Sequence, residues 1–350
     1  MTLSTSSSFA FSAGLTKNVW DFGDLVLKGR LARALEEGSA RYPIYRSLRY
    51  AARLELEHLF DALALIPGWR AHRIESGSML LDGDGLFVSV HGGRKADYCS
   101  CFFGIWAASP ARAEDARQTI LDCAGPARIL EPMFSIDWHF LTGKGELQSA
   151  AIEELADDVL HDEAYPEIEG GVHAFIARYL DAKETVLVLQ GPPGTGKTRL
   201  IRAILGQISR RNGGQAQALY TGDKKALEND EIFVKFITGW DDAFVVEDAD
   251  HLLKPRSEGN ENLHRFLAIA DGVVRAQGRK IIFSTNLPNV GDLDDALVRP
   301  GRCFARVHTR ELTPAEAERL MATLGCGAAA RPGARKSYSL AEVYRSAVTG

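Results

Sequence analysis

The chain has 350 residues, 45% of them hydrophobic and 25% charged, with a formal net charge of -5. That is the make-up of a globular protein of about two domains, and its acidic balance disfavours nucleic acid as a partner. Its five cysteines, Cys99, Cys101, Cys123, Cys303 and Cys326, are odd in number and scattered, which argues against a disulfide framework and fits a reducing cytoplasm.

The N-terminal stretch MTLSTSSSFAFSAGLT has neither a basic leader nor a long apolar core, so residues 1–18 read as a flexible tail rather than a signal peptide. No apolar run approaches the roughly 20 residues that span a bilayer. Residues 19–148 read as a separate α+β domain. A helix is predicted over Leu48–Leu65, with Leu54, Leu59, Leu63 and Leu65 near one face. Strands follow over Trp69–Ile74, Met79–Leu81, Leu86–Val90 and Tyr98–Ala107, with turn signals at Asp82-Gly83-Asp84-Gly85 and His91-Gly92-Gly93. Cys99 and Cys101 lie two apart in the last of these and so share a face. With no second pair or nearby His, they read as buried small hydrophobes, not metal ligands.

A helix over Arg112–Cys123 and strands over Ala127–Leu130 and Phe134–Leu141 complete the region. Thr142-Gly143-Lys144-Gly145 lacks the upstream glycine and following helix of a phosphate loop, and reads as a hairpin turn. No catalytic constellation stands out here, and Trp106 and Trp138 read as core. His161, Asp162 and Glu163 fall in an acidic, turn-prone stretch and read as solvated surface. Tyr165 and Pro166 are candidates to touch an adenine ring, and Gly171–Leu180 is predicted helical.

Residues 149–311 read as the next domain, and from Val186 onward the pattern alternates strands and helices, the sign of a parallel sheet with crossover helices. Thr185–Gln190 is a short β-branched apolar run, and Arg199–Ile208 carries apolar residues at helical spacing. Between them stands Gly191-Pro192-Pro193-Gly194-Thr195-Gly196-Lys197-Thr198, which fits the phosphate-binding pattern G-x-x-x-x-G-K-[ST]. Glycines let backbone N–H groups curl around phosphate oxygens, and the helix N-terminus adds partial positive charge. Lys197 would reach the β- and γ-phosphates, and the Thr198 hydroxyl would ligate Mg²⁺. The loop is therefore expected to bind a nucleotide together with Mg²⁺.

Ala216–Tyr220 is the next predicted strand, Glu231–Ile237 a short helix and Ala243–Val246 a strand. That strand ends in Glu247-Asp248. One carboxylate there can hold Mg²⁺, and its neighbour can activate the attacking water. A helix is predicted over Asn262–Val273, then a strand from Lys280 that ends in Ser284-Thr285-Asn286, where Asn286 can hydrogen-bond water or the γ-phosphate. The run Asp292–Arg302 presents Arg299 and Arg302 after a short turn, and a guanidinium at a γ-phosphate stabilises transition-state charge. Thr313–Leu324 and Ser339–Val348 read as capped helices of a small lid over residues 312–350, joined by a loose Gly/Ala/Arg-rich connection at 325–336.

The ordered set GPPGTGKT, FVVEDAD, IIFSTN and LDDALVRPGR resembles the AAA family of ring-forming ATPases. The resemblance covers about Tyr165 to Leu324. It implies a P-loop NTPase fold and ATP hydrolysis at the subunit interfaces of a homo-oligomeric, hexamer-like ring. Asn286 becomes the sensor-1 residue, and Arg299 and Arg302 become arginine fingers for the neighbouring subunit. The implied work is remodelling or moving a macromolecular client, with the N-terminal domain as the natural holder of a protein client.

Most members of the family end the carboxylate strand with Asp then Glu, whereas here Glu247 precedes Asp248. In this order, and in the run FLAIADGV, the core is similar to the AAA chaperone that assembles the Rieske protein of the cytochrome bc complex. The Asp248 carboxylate falls short by roughly 1.5 Å unless the backbone compensates, and a misplacement of about 1 Å can cost around 10²-fold in rate. The interval Thr221–Asp230 also lacks the aromatic pore residue of peptide-threading members. A nucleotide-gated scaffold with slow turnover and a nucleic-acid loader therefore stay open as alternatives.

Overall fold

The computed structural model describes residue 29 and residues 42–95, 97–156, 159–254, 263–270, 278–289, 293–326 and 335–349. The predicted tail at 1–18, the ends of the predicted helix 262–273, Asp292 and most of the connection 325–336 lie outside the described residues. The chain divides into two compact units, residues 1–130 and 131–350.

In the first unit the elements run β1 (Ile44–Ala52), α1 (Leu56–Ala64), β2 (Arg70–Glu75), β3 (Ser78–Gly83), β4 (Leu86–Arg94), β5 (Cys99–Ala107), α2 (Pro110–Ala124) and β6 (Arg128–Ile129). The strands form one antiparallel sheet in the order β2-β3-β4-β5-β1-β6. Both helices pack on this sheet, with Leu59, Phe60, Leu63 and Ile120 in one core with Val88, Val90, Cys101 and Phe103. Cys99 and Cys101 are buried as free thiols. Ser109 caps α2 by accepting from Arg112 N, with Pro110 in the first turn.

The predicted helix Leu48–Leu65 is half wrong. Residues 44–52 are strand β1, paired with β5 from Ile44↔Ala107 to Ala52↔Cys99, and the helix begins only at Leu56. Leu48, Tyr50 and Ala52 are all buried, a two-residue period that a search for helical leucines overlooks.

In the second unit the order is β7 (Met133–Leu141), β8 (Leu147–Leu155), α3 (Val172–Asp181), β9 (Val186–Gln190), α4 (Lys197–Arg211) and β10 (Gln215–Thr221). Next come α5 (Lys224–Glu228), α6 (Asp230–Thr238), β11 (Ala243–Val246), α7 (Asp250–Leu253), α8 (Leu263–Ala270) and β12 (Lys280–Thr285). The unit closes with β13 (Cys303–His308), α9 (Pro314–Thr323) and α10 (Leu340–Thr349). The sheet order is β13-β9-β12-β11-β10-β7-β8, parallel throughout except for the antiparallel β7–β8 hairpin. This is the α/β, P-loop NTPase sheet expected from the sequence.

Strands β9, β11 and β12 are wholly buried, because helices cover both faces of a parallel sheet; their polar residues, Gln190, Lys280, Ser284 and Thr285, fall at the strand ends. One face packs against α3, α4, α9 and α10, the other against α6, α7 and α8. Helix α9 opens on a complete capping box between Thr313 and Glu316, a device that contributes about 0.5–2 kcal/mol through its cap residue.

The domain boundary falls between Leu130 and Glu131, not after residue 148. Strand β7 pairs in parallel with β10 from Gln215↔Met133 to Tyr220↔Trp138, so the last predicted strand of the first domain belongs to the second sheet. The open edge of β10 provides the ladder that β7 requires. Thr142–Glu146 does form the expected hairpin turn, with Thr142 N donating to Glu146 O at 2.9 Å. Trp138, read as core, is 46% exposed. Strands β8 and β13 and helix α5, inside the Thr221–Asp230 interval, were not anticipated.

Candidate active site

The C-terminal ends of β9, β11 and β12 converge, as expected where a parallel sheet gathers a site. Between β9 and α4 the loop from Gly191 to Gly196 turns tightly. Gly196 has φ +92, and a Cβ there would lie 2.5 Å from Leu340 Cδ2 and 2.9 Å from the Tyr165 hydroxyl. At Gly191 a Cβ would meet Thr309 O at 2.1 Å. Only glycine fits at either point.

The loop is held from beneath. Tyr165, 1% exposed, donates its hydroxyl to Gly196 O at 3.0 Å. The Thr195 hydroxyl donates to Pro192 O at 2.8 Å and lies 2.7 Å from Thr309 Oγ1. Tyr165 is thus a strut under the loop. Asp162 likewise serves the fold, accepting from Val172 N at 2.7 Å at the start of α3.

Lys197 Nζ donates to Gly191 O at 2.6 Å, Pro192 O at 2.9 Å and Asn286 Oδ1 at 3.0 Å. Burial pushes its pKa down, while Asp248, Asp250 and Glu247 pull it back up. A phosphate would supply the negative charge that a desolvated ammonium needs. Thr198 Oγ1 donates to Glu247 Oε1 at 2.6 Å, which brings the two predicted cation ligands together. Asn286 Nδ2 donates to Asp248 Oδ1 at 3.0 Å.

Asp248 sits at φ +49, the one left-handed non-glycine residue among those described. Asp tolerates that region better than most residues. Its backbone departs from the strand there, and the residue lines the pocket wall.

A pocket of about 440 Å³ opens over these groups. Pro193, Gly194, Gly196, Lys197 and Thr198 line it, opposite Glu247, Asp248 and Asn286. Gly191 and Thr195 shape the loop without lining the pocket. Arg299 and Arg302 are absent from its walls: Arg299 is exposed, and Arg302 donates to Ala296 O.

Several contributors escaped the sequence reading. Asp250 accepts from Thr285 Oγ1 at 2.5 Å and from Asn286 N at 2.8 Å, fixing the loop that carries Asn286. Its signal was the third carboxylate of the EDAD run. Helix α10 closes one side through Leu340, Ala341 and Tyr344. Ala341 N donates to Gly194 O at 3.1 Å, and the Arg199 guanidinium stands 4.0 Å over the Tyr344 ring. Tyr220, at the end of β10, donates its hydroxyl to Glu247 Oε2 at 2.6 Å.

No cluster of three or more His, Cys, Asp or Glu suited to a metal ion occurs among the described residues. One carboxylate and one hydroxyl are nonetheless a sufficient protein share for Mg²⁺, which keeps several waters and takes the rest of its ligands from phosphates.

Residues 187–311 match the family model described as the ATPase family associated with various cellular activities (AAA). The chain is 28% identical over 207 residues to the peroxisomal ATPase PEX6 of Homo sapiens, covering 55% of this chain and 20% of that protein. It is 34% identical over 156 residues to an AAA-ATPase of Arabidopsis thaliana, covering 40% of this chain and 33% of that one. It is 30% identical over 166 residues to the ATP-dependent zinc metalloprotease YME1 homolog of Caenorhabditis elegans, covering 45% of this chain and 21% of the relative. The chain thus spans between a fifth and a third of the length of these relatives.

Proposed function

We propose, from the AAA ATPase domain that this chain carries, that it binds ATP with Mg²⁺, hydrolyses it and uses the cycle to remodel or move a protein client. The observation that carries the reading is the meeting of Lys197, Glu247, Asp248 and Asn286, from three strand ends, at one pocket. Lys197 exchanges its carbonyl partners for the β- and γ-phosphates. Thr198 and Glu247 hold the cation, which when bound neutralises charge developing on the phosphates. Asp248 accepts the proton of the attacking water, and Asn286, bonded to it, orients that water.

Arg299 and Arg302 lie outside their own chain's pocket, which supports delivery to a neighbouring copy in a hexamer-like ring. Fingers delivered in this way contribute about 10³–10⁵ in rate. The first unit, with a core of its own, is the proposed holder of the client. The Glu247-Asp248 order supports kinship with the Rieske-assembly chaperone branch. Five free cysteines support a cytoplasmic setting, and no helix among the described residues is long and apolar enough to cross a membrane.

One observation favours a second reading, a nucleotide-gated scaffold with slow turnover. Asp248, the shorter carboxylate, reaches the pocket through a left-handed turn. Steady-state phosphate release decides between them. Wild type at micromolar concentration is expected to exceed Arg302→Ala by about 10³-fold. Equal rates would sink the remodelling ATPase and leave the scaffold; stimulation by DNA or RNA would instead point to a loader.

A further inference from the structure

We infer that Tyr220 is a positioning residue for Glu247, and that the β7–β8 hairpin holds it in place through Trp138. The inference rests on the assignment of Glu247 as a cation ligand. Both carboxylate oxygens of Glu247 are engaged, Oε1 by Thr198 Oγ1 and Oε2 by the Tyr220 hydroxyl, each at 2.6 Å. That is the length of a charge-assisted O–H···O⁻ bond, about twice as strong as a neutral one. A carboxylate can only accept, so the phenol is the donor of this bond.

The need for such a hold follows from the inverted carboxylate order. Glutamate has one more rotatable bond than aspartate, so its carboxylate loses more freedom when it is ordered. Two donors on two oxygens fix both the reach and the rotation of the group, as outer partners do for metal ligands generally.

The Tyr220 ring is itself held. It lies directly across from Trp138 in the β10–β7 register, with ring centroids 6.3 Å apart and planes at 84°, an edge-to-face arrangement that contributes about 0.5–1.5 kcal/mol. A small apolar pocket of about 240 Å³ flanks the pair, lined also by Ile136, Ile152, Ile201 and Leu205. Thr198, Arg202 and Glu247 supply the polar part of its lining. The strand that extends the sheet beyond β10 thereby reaches the cation site through two rings.

The test is a Mg²⁺ titration of fluorescent ATP-analogue binding, with the same measurement repeated in EDTA. Tyr220→Phe, which removes one oxygen and keeps the ring, is expected to raise the half-saturating Mg²⁺ concentration about 10-fold while leaving the EDTA affinity unchanged. In a Glu247→Asp background, where the shorter arm no longer reaches the phenol, Tyr220→Phe is expected to add nothing. An unchanged Mg²⁺ requirement in Tyr220→Phe overturns the inference, as does an equal loss with and without the cation. So does a full additional loss in the Glu247→Asp background. Wild-type binding that ignores Mg²⁺ would instead overturn the nucleotide–cation reading underneath it.

Discussion

Lys197 Nζ donates to Asn286 Oδ1 at 3.0 Å, and the same amide donates from Nδ2 to Asp248 at 3.0 Å. Asn286 therefore stands between the cation proposed to meet phosphate and the carboxylate proposed to meet water. The first three motifs of the chain form one connected network, and removing its members is expected to separate binding from chemistry.

Lys197→Ala removes the charge proposed to pair with phosphate. A charge-assisted hydrogen bond contributes about 1.5–3 kcal/mol, so ATP affinity is expected to fall by roughly 10- to 100-fold. Asn286→Ala keeps that charge and loses the link to Asp248. Its turnover is expected to drop by about 10²-fold with affinity changed less than threefold. Calorimetric binding beside phosphate release reads both. A turnover loss for Asn286→Ala fully explained by weaker binding would remove the link from the mechanism.

Gly196→Ala tests whether the loop depends on the close approach of α10. The new Cβ must adopt φ +92, and it runs into Leu340 Cδ2 at 2.5 Å and the Tyr165 hydroxyl at 2.9 Å. Gly213 is the control: its φ is +77 with nothing within 4 Å of a Cβ, so Gly213→Ala carries the backbone strain alone, about 1–2 kcal/mol. Urea melts should find Gly196→Ala the less stable by a further 1–3 kcal/mol or so, and ATP affinity should fall in that variant only. Equal melts would mean that α10 yields at no cost.

The phosphate loop, the carboxylate strand and the Asn286 strand were legible because a buried parallel strand is a plain apolar run and the loop demands glycines at fixed spacing. The allegiance of residues 133–155 was not. An alternating strand such as Met133–Leu141 advertises two faces but not which sheet edge it joins, and β10 decided that. Tyr220 was hidden for a related reason: its partner Glu247 is brought alongside only by the β10–β11 register. The α10 contacts followed the same rule, since the capping signal at Ser339 marks a helix start without saying what the helix covers.

Glu167 provides a pH test independent of nucleotide. Burial pushes its carboxyl up to about 7, while a hydrogen bond to its own backbone and Arg310 pull it down and Glu316 pushes it up. Its Oε2 is buried with no hydrogen-bond partner among the described residues. Its folded pKa thus lies above the unfolded value of 4.5. The native state binds the extra proton between those values, so stability is full below 4.5 and declines as pH rises through about 7. Glu316 acts in a separate window: Arg310 pulls it down to about 2, so its contribution is lost only as pH falls below 4.5. Between pH 5 and pH 8 the wild type should therefore lose on the order of 2 kcal/mol that Glu167→Gln keeps. Thermal melts across that range should converge at the acidic end and separate at the alkaline end, with Glu167→Gln the more stable. Parallel curves would mean that Glu167 ionises in the folded state as freely as in the unfolded chain.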